Sequence, residues 1–279
     1  MAKNLTPLQV RLLEIFRWFH DFCVEHNLHY YTLGGTMLGA ARHQGFIPWD
    51  DDVDVGMPTQ DYLRLIQLIQ QNTSDYYVIE SPINAAEGFW YPFTKLYDTS
   101  TTLVENTAEH IKRGIYIDIF PLEGMGNTAE ETQRNYRKLE RKLNLLLART
   151  TGIRAGRKWY KNVFVYIARL LPNWLVNNKK LYAQIHQLST QTDFDSKAYG
   201  GNPCGAWRLK EIMARDIYGK PTLYQFENIQ VFGVEKPNEY LTHMYGNWRQ
   251  LPPKEKQKTH HDFISFDLNK SYLCGDNPI

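Results

Sequence analysis

The chain has 279 residues, 43% of them apolar, and a formal net charge of +2, enough apolar content for a full core in one large domain or in one domain with a helical lobe. That composition excludes a disordered chain, and without an internal repeat or low-complexity tract a solenoid or scaffold architecture is excluded too. Cys23, Cys204 and Cys274 are widely spaced, odd in number and free of any CxxC pair, which argues against a disulfide framework and favours a reducing compartment.

The chain opens Met-Ala-Lys-Asn and runs directly into an apolar repeat (Val10, Leu13, Phe16, Phe19, Phe22, Cys23) at helical spacing. No signal peptide is visible, so a cytoplasmic protein is expected, and Leu8 to His26 is predicted to pack as a helix on a sheet. Tyr30-Tyr31-Thr32-Leu33 reads as a short strand, broken by Gly34-Gly35-Thr36 and followed by a helix through Met37 to Arg42. Backbone N–H groups at such a strand-turn-helix junction suit an anion, although a lone Gly-Gly is as often an ordinary turn. Further strands are predicted near 29–33, 47–56, 76–80, 93–97 and 115–120. A helix is predicted from Thr59 to Gln71, capped by Thr59 with Asp61 in its first turn, and helices are expected to dominate from Ala129 onward.

Trp49-Asp50-Asp51-Asp52-Val53-Asp54-Val55 crowds four carboxylates into five positions, fifteen residues beyond the glycine turn. Repulsion that dense is rarely kept for stability. If Ile47 to Val55 is extended, Asp50, Asp52 and Asp54 share one face, and Asp51, Val53 and Val55 the other. A row of acids calls for a cation, and hard oxygen ligands suit Mg²⁺ or Mn²⁺. A third acid, Asp118, stands alone in the apolar strand pattern Ile115 to Pro121, where a buried carboxylate is costly unless paired or on metal. Asp118 reads equally well as a hydrogen-bonded structural acid; beside Asp52 and Asp54 the metal reading gains. Arg42 and Lys95 are the cationic candidates for phosphate, each with the alternative of a surface residue paired with Asp98 or Glu80. His260-His261 with Cys274 lacks the spacing of a zinc site.

Gly34-Gly35-Thr36, Asp52-Val53-Asp54 and the later apolar-Asp-apolar at Asp118 match the nucleotidyltransferase-fold pattern, and the run Leu33 to Gly56 resembles the LicD family. The resemblance continues through Tyr91 to Asp98, Tyr116 to Leu122, Tyr240 to Trp248 and Leu251 to Lys254, and is weakest from about Arg141 to Pro221. It implies an α/β (α+β) fold, a nucleotidyltransferase-like mixed sheet core over 1–128 with a largely helical C-terminal part over 129–279. It also implies transfer of a phospho-alcohol, typically phosphocholine from CDP-choline, onto a sugar hydroxyl of a teichoic-acid or other cell-surface glycan precursor, with CMP released. Related fukutin-type enzymes use CDP-ribitol. Metal on Asp52, Asp54 and Asp118 would bridge the diphosphate, with Gly34, Gly35, Thr36, Arg42 and Lys95 on the donor. Asp118 or Asp54 would take the acceptor's proton. Asp50 would be an outer ligand and Asp51 structural. A trimethylammonium group wants aromatic faces; Trp49, Trp90, Tyr91 and Trp248 stand nearest the motifs. The rival readings are a true nucleotidyltransferase, which releases diphosphate, and a silent binding module on the same fold.

From Arg141 to Thr192 there are ten Lys/Arg residues and no Asp or Glu, around the apolar runs Val163 to Ala168 and Leu170 to Pro172. Basic and amphipathic together read as a membrane-surface element, too short and too charged to span a bilayer. A core-covering helix with a solvated basic face is at least as common, and nucleic acid ranks third. The expectation is a peripheral contact with the inner face of the cell membrane, where a lipid-linked sugar acceptor would lie, and no nucleic-acid partner.

Overall fold

The structure, a computed structural model, describes residues 5–71, 76–84, 89, 91–105, 112–150, 158–172, 174–259 and 263–274. Helix α1 (Pro7–Glu25) opens with a capping box, Thr6 and Gln9 bonding each other's backbone, with Pro7 in the first turn where its missing N–H costs nothing. Then come β1 (Tyr31–Thr32), α2 (Gly34–His43), β2 (Asp54–Pro58), α3 (Thr59–Gln71), β3 (Tyr77–Glu80), β4 (Thr94–Asp98), β5 (Thr102–Glu105), β6 (Lys112–Arg113) and β7 (Tyr116–Gly126). Three helices follow, α4 (Ala129–Thr150), α5 (Trp159–Leu170) and α6 (Asn178–Leu188). Beyond them lie β8 (Tyr199–Gly201), β9 (Ile212–Ala214), the hairpin β10 (Thr222–Phe226) and β11 (Ile229–Gly233), α7 (Pro237–Tyr245) and β12 (Phe263–Asp267).

The main sheet runs β1-β2-β7-β4-β3, extended by β8 on β7 and β9 on β8. Only β2 and β7 pair in parallel; the other pairings are antiparallel, so the sheet is mixed. Its apolar residues Val55, Met57, Leu96, Ile117 and Ile119 join Leu12, Ile15, Phe16 and Phe19 of α1 and Tyr62, Leu65 and Ile66 of α3 in one buried cluster. Burying that many large side chains, each worth about 1.5–3 kcal/mol, fixes the register of β2 and β7.

One sequence expectation is corrected. The extended segment begins at Asp54, not near residue 47. The Ile47 carbonyl accepts from Asp50 N–H (2.9 Å) in a turn, Gln9 donates to the Asp50 carbonyl (2.9 Å), and Phe46 N–H goes to Glu227 (2.9 Å) at the β10–β11 turn. These backbone groups are committed to tertiary partners, so no strand ladder forms there. Helices dominate from Ala129 onward as expected, in α4, α5, α6 and α7; of the short strands among them, β8 and β12 pair back onto β7 and β5 of the N-terminal half. Cys23, Cys204 and Cys274 are all free thiols.

Buried Glu123 on β7 accepts from Thr192 N–H at 3.1 Å, while its second oxygen has no partner among the described residues. Burial raises its carboxyl to about 8. A folded-state value above the unfolded one means that the folded protein keeps a proton the unfolded chain has lost, so stability falls as pH rises from about 4.5 to about 8 and levels off beyond. Glu123→Gln should flatten that slope and add most stability at pH 8, on the order of a few kcal/mol; melting curves from pH 5 to 9 check it.

Candidate active site

Strand pairing assembles the site. Asp54 on β2 and Asp118 on β7 are direct partners in the parallel ladder, and Lys95 on β4 is the partner of Asp118 on its other side. Adjacent strands lie about 4.8 Å apart, so acid, acid and ammonium form a row across the sheet. The ladder continues into the loop, where Asp118 N–H reaches the Val53 carbonyl at 2.9 Å.

The glycine turn is stapled to the same strand. Leu33 N–H donates to the Asp54 carbonyl (3.0 Å) and Asp54 N–H to the Thr36 hydroxyl (2.9 Å). Gly34 has φ +49°, and a Cβ there would sit 3.5 Å from Asp54 Oδ2 and 3.6 Å from the Tyr245 hydroxyl. A Cβ on Gly35 would lie 2.8 Å from Asp50 Oδ2. The two glycines therefore let the start of α2 come against the carboxylates. No side chain caps that helix start, which presents its N-terminal dipole toward the acid row. Gly34 N–H itself is taken by the Tyr240 hydroxyl of α7 (3.1 Å).

Electrostatics mark the row as short of positive charge. Burial, then repulsion from Asp52, Asp118, Asp50 and Glu211, holds the Asp54 carboxyl well above the usual range. Asp118 is raised by burial, opposed by Lys95 and reinforced by Glu105 and Asp52. Lys95 is 1% exposed. Its ammonium lies 3.2 Å from Asp118 Oδ1 and 3.7 Å from Glu105, over the rings of Tyr116 (3.2 Å) and Tyr91 (4.1 Å). Cation–π contact in so dry a place adds to the ion pairs. Asp118 Oδ1, itself buried, has that ammonium as its partner.

Asp52 adds its charge to both Asp54 and Asp118. Asp51 and Asp52 line one narrow cleft with Leu8, Leu103, Tyr116 and Phe263, so the strict alternation expected over 50–54 does not hold. Asp51 is bonded by the Thr259 hydroxyl, in keeping with a structural role. Lys95 is paired with Asp118 and Glu105, whereas Glu80 goes to Arg113 and Asp98 to Arg11. Arg42 donates to the Trp248 carbonyl at 2.6 Å and ties α2 to the chain after α7. Trp49 packs half-buried against the cluster of Leu33, Met37, Tyr240 and Trp248. Trp90, His260 and His261 lie outside the described residues.

Sequence reasoning missed Glu105, which accepts from the hydroxyls of Tyr91 (2.8 Å) and Tyr116 (2.5 Å) as well as facing Lys95. It also missed Glu211, held by Asn202 (2.8 Å) and Trp207 N–H (2.8 Å) and raised by burial to about 7, close enough to be felt at Asp54. Neither carries a local signal, since both reach the site through tertiary packing.

Among the described residues no three acids, imidazoles or thiolates are already gathered as a ligand shell. The arrangement offers two adjacent carboxylates with Asp52 beside them, next to an uncapped helix start. That is an all-oxygen set, suited to a hard cation completed by phosphate oxygens.

The chain matches the LicD/FKTN/FKRP, nucleotidyltransferase domain over residues 27–144, which include all of this row and the glycine turn. The lipopolysaccharide cholinephosphotransferase LicD of Haemophilus influenzae is 29% identical over 262 residues, covering 92% of this chain and 96% of that protein. Ribitol 5-phosphate transferase FKRP of Homo sapiens is 53% identical over 41 residues, 15% of this chain and 8% of that one. With the motif, the fold and a relative aligned almost end to end, the chain carries a LicD/FKTN/FKRP nucleotidyltransferase domain over residues 27–144.

Proposed function

We propose that the protein transfers a phospho-alcohol group, phosphocholine from CDP-choline in the first instance, to a sugar hydroxyl of a cell-surface glycan precursor such as that of teichoic acid, releasing CMP. The observation that carries this reading is the row Asp54–Asp118–Lys95 set against the glycine start of α2, in a chain that aligns over 92% of its length with a cholinephosphotransferase.

Asp54 and Asp118, with Asp52, would hold Mg²⁺ or Mn²⁺. The fit rests on two adjacent carboxyls on paired strands, each raised by burial and by repulsion from neighbouring acids, because Mg²⁺ is usually held by one or two carboxylates together with substrate phosphates. When bound, the ion neutralises charge on the diphosphate and on the departing CMP. Lys95 keeps Asp118 aimed and partly ionised against its burial penalty. The N–H groups at the start of α2 receive a donor phosphate. One carboxylate of the Asp54/Asp118 pair takes the proton of the acceptor hydroxyl as its oxygen bonds to phosphorus and the bond to CMP breaks. Little covalent work is asked of the protein, and positioning supplies much of the rate. Tyr91, Tyr245, Trp248 and Trp49 are the aromatic faces for a trimethylammonium group.

Donor binding tests the shared site directly. CDP-choline at a hundredfold excess over Kd should stabilise the fold by about 2.7 kcal/mol in the presence of Mg²⁺ and by far less with EDTA. Arg42→Ala, which releases the Trp248 carbonyl, should weaken that protection, whereas Lys138→Ala should not. Equal protection with and without metal in a thermal-shift titration would contradict a diphosphate held between cation and glycine turn.

A further inference from the structure

Helix α5 buries only a narrow face. Val165 and Ala168 pack on Ala148 of α4, with Leu145 beside them. Trp159, Tyr160, Val163, Phe164, Tyr166, Ile167 and Leu170 are all exposed, between 46% and 77%, and just past the helix Trp174 and Leu175 are exposed at 85% and 57%. At 100° per residue these seven helical side chains fall in one continuous arc of about 160°, opposite Val165 and Ala168. A soluble surface rarely presents so large an apolar patch without a partner.

The surroundings indicate what that partner is. Residues 141–192 carry ten Lys/Arg and no carboxylate. Some are spent inside the helical layer: Arg149 donates to the Ala168 and Leu171 carbonyls at 2.8 Å, and Lys142 to Gln184 at 2.7 Å. Lys158 and Arg169 at the two ends of α5, and Lys179 and Lys180 in the first turn of α6, remain exposed. An apolar arc rich in Trp and Tyr with a cationic margin is the chemistry of a bilayer interface with anionic headgroups, in which aromatic rings sit at headgroup depth and cations pair with lipid phosphates. No described helix is long and apolar enough to cross a membrane. We propose that the outward arc of α5, with Trp174 and Leu175, inserts into the interface of an anionic membrane, the helix lying in the plane of the surface.

The lobe that would dock is joined to the wall of the acid row. Tyr182 of α6 donates to the Tyr91 carbonyl, and the Tyr91 ring lies on the Lys95 ammonium. Docking would therefore hold the site at a fixed orientation to the surface, whatever group it transfers.

The test is co-sedimentation of the full chain with vesicles of phosphatidylcholine alone or with one-third phosphatidylglycerol, at low and high salt. Wild type should bind the anionic vesicles at least tenfold better than the neutral ones, less at high salt. Trp159→Ser, Phe164→Ser and Ile167→Ser together should reduce binding at least tenfold, and Lys158→Gln, Lys179→Gln and Lys180→Gln together should remove most of the salt dependence. Absence of wild-type binding to anionic vesicles at low salt overturns the proposal regardless of how the variants fold. So does a wild-type dimer in sedimentation velocity that the serine variant converts to monomer, because the arc would then be covered by a second copy. Failure of the transferase reading would leave vesicle binding untouched, which keeps the two separable.

Discussion

Replacing Asp118 or Asp54 with Asn is expected to lower turnover by about 10³-fold, roughly 4 kcal/mol of transition-state stabilisation, without unfolding the protein. Asp54 is held up by burial and then by neighbouring acids, with no cation opposing them, so in the metal-free protein its ionised form is a net cost to the fold. A neutral isostere relieves that repulsion. For Asp54→Asn the melting temperature without divalent ion should therefore hold or rise while activity disappears; Asp118→Asn also breaks the pair with buried Lys95 and should lose some stability as well as activity. An Asn variant keeping more than about a tenth of wild-type turnover would remove its residue from any role of that size.

The opposite pattern is expected at Lys95. Lys95→Met removes the ammonium from a place 1% exposed and leaves Asp118 and Glu105 facing each other without it. Breaking a buried pair from one side costs about 3–5 kcal/mol, so this variant should lose stability as well as activity, with Asp118 pushed further up. Adding Glu105→Gln removes one of the two stranded charges and should restore a substantial part of the stability. Denaturant melts of the four corners of this cycle measure the coupling. A Lys95→Met variant that is as stable as wild type would mean that the acid row does not depend on its buried cation.

Much of this arrangement is legible in the sequence because it is local. The 3.6-residue repeat gives α1 and α3, the apolar run around Asp118 gives β7, and the glycine turn followed by clustered acids gives both halves of the site. The stretch 47–53 misleads because Asp52-Val53-Asp54-Val55 alternates with a period of two and invites extension back to Ile47, while Gln9 and Glu227, distant in sequence, divert the preceding backbone into a turned loop. Beyond Leu188 the strands are three to five residues long, too short for a period to emerge. Glu105 and Glu211 acquire their meaning only when β5 and the segment before β9 come against the site. Lys95 reads as an inward cation from its apolar neighbours, but its partners, Asp118 across the ladder and Glu105 beyond it, follow from strand order alone.

Transfer of phosphocholine at the Asp54/Asp118 row is tested by incubating the protein with choline-labelled CDP-choline, Mg²⁺ and a glycan acceptor, and identifying both products by mass spectrometry. Free CMP and an acceptor heavier by one phosphocholine are expected in equal amounts, and neither product with EDTA or with Asp118→Asn. Free phosphocholine with a cytidylylated acceptor, or label transferred at an undiminished rate by Asp118→Asn, would contradict that transfer.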